Sequence, residues 1–106
     1  MGYYTKYEVT ISNIDDPNKV IESVERIGFD NCDLTDDRTT LYFYYDGKWY
    51  DWQEDCIRLS SAYPKIIIEI EAEGEESGDL WKARIRNGVC ERVNAKIIYD
   101  EFKIIT

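Results

Sequence analysis

Six carboxylates fall within eleven residues, at Glu69, Glu71, Glu73, Glu75, Glu76 and Asp79, with no Lys or Arg among them. Such density suits a hard metal ion, a basic partner surface or a solvated strand face. Glu69-x-Glu71-x-Glu73-Gly74 has the outline of a calcium-loop opening, D-x-[DN]-x-[DN]-G. That loop needs short Asp or Asn ligands early, a bidentate Glu at its twelfth position and flanking helices. Its twelfth position here is Leu80, and the residues before Glu69 are β-branched and strand-forming. No metal is assigned.

On a strand, side chains two apart share a face at roughly 6.5 Å per step. Glu69, Glu71 and Glu73 then form a row of carboxylates, continued into a loop by Glu75, Glu76 and Asp79. Lys82, Arg84 and Arg86 alternate on the next expected strand and can offset the row, which gives a neutralised ladder. The alternative is a recognition surface. Anions spaced by several ångströms are of the order of the phosphate repeat along a nucleic-acid strand, so a folded acidic domain can fill a cationic groove that otherwise holds DNA or RNA. Asp30, Asp33, Asp36 and Asp37 make a second acidic group around an expected turn, and two separated groups suit an extended basic groove.

The aromatic residues are the other concentrated feature. Trp49, Tyr50 and Trp52 lie within KWYDW, shortly after LYFYY from Leu41 to Tyr45. Strand alternation sends Leu41, Phe43 and Tyr45 to one face, and Tyr42 and Tyr44 to the other. Tyr42 and Tyr44 are expected to pack under a C-terminal hairpin. Left exposed, they would anchor a protein partner, because Tyr buries a large area while losing few rotamers. Base stacking on such rings is known in ferredoxin-like sheets, but the negative charge opposes it.

Nucleophilic chemistry finds little to work with. Cys32, Cys56 and Cys90 are far apart, odd in number and never spaced as CxxC, so they read as small apolar side chains. The chain contains no histidine, which removes Ser-His and Cys-His pairs and the usual zinc or iron ligands. No catalytic residue and no cofactor is assigned, and the expectation is a protein that is not an enzyme.

The elements that must position these residues follow from periodicity. Tyr3 to Ile11 alternates as a strand, with Tyr7, Val9 and Ile11 in phase. Asp16 suits the N-cap and Pro17 the first position of a helix whose stripe is Val20, Ile21, Val24 and Ile27, closed by Gly28. A short strand, a polar turn at Thr35–Arg38 and a strand over Thr39–Tyr45 come next. Asp51 and Glu54 have capping-box spacing before a second helix with Trp52, Cys56, Leu59 and Tyr63 in phase, and Pro64 ends it. Lys65–Glu73 and Asp79–Arg86 read as strands, and Asn87-Gly88 as a two-residue turn into a strand reaching about Tyr99. The expected core is Trp52, Leu59, Phe43, Ile68, Ile70, Val20, Val24 and Ile27. The order is β-α-β-β-α-β plus a C-terminal β-hairpin: an α+β, ferredoxin-like antiparallel sheet with two helices on one face, one domain over residues 1–106.

KWYDW at the start of the second helix, SSAYP at its end, then GEESGDLWK and RNG, together resemble the YubB-type ferredoxin-like domains of small phage, plasmid and other mobile-element proteins. The resemblance covers Trp49 to Gly88, about 40 residues, while the N-terminal part matches only in its order of elements. It implies the fold and a mobile-element origin, and carries no catalytic residues.

Composition sets the bounds. One hundred and six residues make one domain, and 43% hydrophobic with 14% aromatic content excludes disorder. Twenty-two acids against thirteen bases give a net charge of −9, which disfavours direct nucleic-acid or anionic-membrane binding and attracts a basic protein surface. No apolar run approaches membrane-spanning length, MGYYTKYEVT lacks a signal-peptide core, and Lys6 stands where myristoylation needs Ser or Thr. The expected compartment is the cytoplasm, the host's if the protein is phage-encoded.

Two function classes stay open. One is an inhibitor of a host defence protein, anti-CRISPR-like or anti-restriction-like, that occupies the cationic groove of a CRISPR effector or restriction enzyme. The other is a homodimerising structural or regulatory domain whose acidity serves solubility.

Overall fold

Val9, Ile11, Phe43, Ile68, Ile70 and Ile85 alternate with more exposed residues along their segments, and all are buried together in one core. The computed structural model describes residues 3–105, with β1 (Thr5–Ser12), α1 (Pro17–Ile27), β2 (Asp33–Leu34), β3 (Leu41–Gly47), α2 (Trp52–Ala62), β4 (Ile67–Gly74), β5 (Leu80–Arg86) and β6 (Val89–Asn94). The class is α+β: two helices and a six-stranded sheet in the order β2-β3-β1-β4-β5-β6, every neighbouring pair antiparallel. No helix among the described residues is long and apolar enough to cross a membrane.

Both helices contribute to the core that the sheet buries. In α1, Asp16 caps the start by accepting the Lys19 N–H, Pro17 opens the first turn, and Val20 and Val24 are buried. Gly28, at φ 124°, donates its N–H to the Val24 and Glu25 carbonyls and closes the helix. The capping box expected at α2 does not form. Asp51 precedes the helix at φ −93° and ψ 21° instead of the extended geometry of a capping residue, and its side chain makes no cap hydrogen bond.

The core is more aromatic than helical spacing suggests. Trp49 lies just before α2 and is buried, with Phe29 at 4.7 Å and Tyr7 at 5.4 Å between ring centroids. Its indole N–H donates to Asp55 at 2.8 Å. Trp81 of β5 is buried as well. Trp52 and Ile27, both expected in the core, are only partly buried at its margin. Trp52 leans against Trp81 at 4.8 Å, so it caps the cluster from outside.

The hairpin after β5 also differs from expectation. Asn87 and Gly88 both have positive φ, 51° and 76°, as a tight two-residue turn requires, and β6 pairs edge-on with β5. It extends the sheet instead of folding over it, which leaves Tyr42 and Tyr44 uncovered. Pairing ends near Asn94, short of Tyr99, because β5 begins at Leu80 and Leu80 already accepts the Ala95 N–H; no β5 residue is left to pair further along. At the other end, β1 begins at Thr5, and Tyr3 and Tyr4 lie outside it.

Candidate protein-interaction face

Residues opposite each other in an antiparallel pair share a face, so the strand register lays out the uncovered side of the sheet. One row across it runs Tyr44, Glu8, Glu71, Lys82, Val93. The next runs Tyr42, Thr10, Glu69, Arg84, Glu91, and a third Asp46, Lys6, Glu73, Leu80. Asp33 of β2 stands opposite Tyr42. The fold thus gathers Glu69, Glu71, Glu73, Tyr42, Tyr44 and Asp33 onto one side. Tyr44 is 72% exposed and Tyr42 39%.

The acidic row is part ladder and part free charge. Lys82 reaches Glu71 at 2.8 Å and Arg84 reaches Glu69 at 3.4 Å. The hydrogen bond that Lys82 donates to Glu71, reinforced by the Glu71 charge, raises the Lys82 pKa. Both pairs are more than half exposed, so water and salt screen them and each contributes little. Across β1 the charge is not offset, because Glu8 faces Glu71 directly. Glu73 lies opposite Lys6 and Leu80 and makes no ion pair among the described residues.

Glu75, Glu76 and Asp79 lie in the β4–β5 loop, beside the start of β1. The Tyr3 hydroxyl donates to Asp79 at 2.6 Å and accepts the Glu76 N–H at 2.9 Å, and Glu75 accepts the Tyr4 N–H at 2.6 Å. The bond to Asp79 raises the Tyr3 pKa. Asp36 and Asp37 lie in the β2–β3 turn at the far end of β1, whereas Asp30 lies in the connection between α1 and β2. Asp33 thus joins the row of Glu69, while the loop acids stay apart: Glu75, Glu76 and Asp79 at one end of the open face and Asp36 and Asp37 at the other are separated by about the length of β1, roughly 20–25 Å at about 3.3 Å per residue.

Asp37 has a local task. It accepts from the hydroxyls of Thr35 and Thr39 at 2.7 and 2.8 Å and from the Thr39 N–H at 3.1 Å. Those bonds, Thr35 first, hold its carboxyl below the usual aspartate range. The folded pKa is the depressed one, so the turn's order should be complete above about pH 4 and lost as pH falls through the Asp37 value. An NMR titration following the Thr39 amide checks this. A midpoint at or above the ordinary aspartate value would contradict it.

Two shallow grooves cross this side of the sheet. One, of about 400 Å³, is lined by Glu8, Glu69, Glu71, Lys82, Arg84 and Glu91 among others. The second, of about 550 Å³, runs between Tyr44, Lys6, Glu73, Leu80, Trp81 and Val93 among others. Carboxylates beside aromatic and aliphatic walls fit the stem and head of Arg or Lys side chains. Glu8, Asp46 and Glu91 belong to this face although runs of acids did not reveal them. Glu8 was legible in the alternation of β1, which sets it opposite in phase to Tyr7 and Val9.

The thiols are held away from reaction. Cys56 is buried, and burial pushes its pKa up to about 12; burial also raises Cys32 and Cys90. At pH 8 Cys56 should react with an aromatic disulfide reagent far more slowly than a free thiol, and at the ordinary rate once the chain is unfolded. Rapid labelling of Cys56 in the folded protein would contradict its placement.

Comparison with protein-family models, with curated proteins and with solved structures finds no match. The reading of this face rests on its own residues.

Proposed function

We propose that the protein is a non-enzymatic binding module whose open sheet face and flanking acidic loops occupy the cationic, nucleic-acid-binding groove of a partner protein. Host defence proteins that hold nucleic acid in such grooves, CRISPR effectors and restriction enzymes, are the partner class; small size, a single domain and a net charge of −9 support it, beside the resemblance to mobile-element domains. The observation that carries the reading is the uncovered face itself, with exposed Tyr44 and Tyr42 beside Glu8, Glu73 and Asp33, and further acids at both ends. A surface of this kind supplies aromatic anchors near one edge and anions along its length. The same proposal keeps the ferredoxin-like arrangement for the first six elements, which the order β2-β3-β1-β4 supports, with β5 and β6 added beyond β4.

The test is displacement. Purified CRISPR effectors and restriction enzymes, each loaded with labelled duplex DNA or guide RNA, are titrated with the protein at low and at moderate salt. Release from at least one of them, weakening as salt rises, is the expected result. Retention of nucleic acid by every member of the panel at low salt would overturn the proposal.

A further inference from the structure

The β6 edge of the sheet is open, and the chain that leaves it is apolar. Val89 and Val93 on β6 are 62% and 64% exposed. Ile97, Ile98, Tyr99, Phe102, Ile104 and Ile105 follow, each more than half exposed. Ala95 directs its N–H to Leu80, so by the alternation of an antiparallel ladder Cys90, Arg92 and Asn94 turn their backbone groups away from β5. An edge with outward N–H and C=O groups beside exposed valines is a template for another strand.

We infer that β6 and the residues that follow it pair antiparallel with the same segment of a second copy, about a two-fold axis at Val93. Register selects this partner. Centred on Val93, the pairing sets Val89 against Ile97, Glu91 against Ala95, Arg92 against Asn94 and Cys90 against Lys96 of the other copy. Exposed apolar side chains meet, and no like charges oppose. Centring on Glu91 or Arg92 places that charge against its own copy, and centring on Asn94 sets Arg92 against Lys96 twice. Centring on Ala95 pairs Arg92 and Glu91 with Ile98 and Tyr99. The Val93 register also sets the outward backbone groups of Cys90, Arg92 and Asn94 against those of Lys96, Asn94 and Arg92 of the other copy, where they can hydrogen-bond. Such a dimer joins two sheets into one and places both open faces on the same side. It joins the backbone edges of β6 and leaves Tyr42, Tyr44 and the acids of β1 and β4 uncovered, so it stands apart from the binding function proposed above.

The test is the mass of the full chain by sedimentation equilibrium over a wide concentration range. The parent should reach twice the monomer mass. Asn94→Pro removes an outward donor without removing a hydrogen bond to β5, and should give half that mass with an unchanged circular dichroism spectrum. Val93→Cys sets the two substituted side chains about 5 Å apart, and mild oxidation should link copies through position 93. A parent that stays monomeric at every concentration overturns the inference. So does a dimer that survives Asn94→Pro, or one that does not cross-link through position 93.

Discussion

Replacing Trp49 by Ala should lower the free energy of unfolding by about 3–5 kcal/mol, the cost of emptying a large aromatic site in a packed core. The indole is 7% exposed and lies between Phe29 and Tyr7. Its removal would also leave the Asp55 carboxylate, whose side chain is only 19% exposed, with Arg58 at 3.7 Å as its remaining side-chain partner. Against a total stability of about 5–15 kcal/mol, that loss brings the domain close to unfolding at ordinary temperature. Trp52→Ala, at the margin of the same cluster, should cost clearly less. Urea denaturation of the two variants checks the order, and a Trp49→Ala cost under about 1 kcal/mol would contradict the packing.

The second large effect is on binding. Glu73→Gln, Glu75→Gln and Glu76→Gln together keep side-chain shape and remove three negative charges from one end of the open face. Glu73 makes no ion pair among the described residues, and the loop's bonds to Tyr3 and Tyr4 use groups that the amide side chains can largely replace. The fold should survive. Affinity for a cationic groove should fall at least tenfold at low salt, about 1.4 kcal/mol, and the difference should shrink as salt rises. Glu71→Gln alone should do little, because its exposed pair with Lys82 is screened by water and salt. A triple variant that binds as tightly as the parent would return the acidic row to a solvated strand face.

The sheet was legible wherever one physical rule decided the outcome. Alternation placed Val9, Ile11, Phe43, Ile68 and Ile70 in the core, and the Asp16-Pro17 start with Gly28 at the end bounded α1. Of the tryptophans in KWYDW, periodicity singles out Trp52, which is only partly buried, and says nothing of Trp49, which is buried. Helical spacing pointed to Trp52, while Trp49 precedes the helix, belongs to no period, and is carried under the sheet by the turn after Gly47. Where β6 ends depends on where β5 begins, a matter of pairing that the apolar phase of Val93, Ala95, Ile97 and Tyr99 does not encode. The site was half legible. The acids and tyrosines were visible as residues, but whether Lys82 and Arg84 reach Glu71 and Glu69, and whether the hairpin covers Tyr42 and Tyr44, depends on register and on the plane of the β5–β6 turn.

The central claim is that the uncovered sheet face is the contact surface. A photoreactive benzoyl-phenylalanine at position 44 tests it most directly, with one at position 50 as the comparison. Tyr50 is as exposed as Tyr44, at 70% against 72%, but lies in the turn before α2. With a defence protein from which nucleic acid is displaced, cross-links should form from position 44, not from position 50, and map to the Lys- and Arg-rich groove. Cross-links from position 50 alone, or from position 44 to a surface outside that groove, would contradict the account.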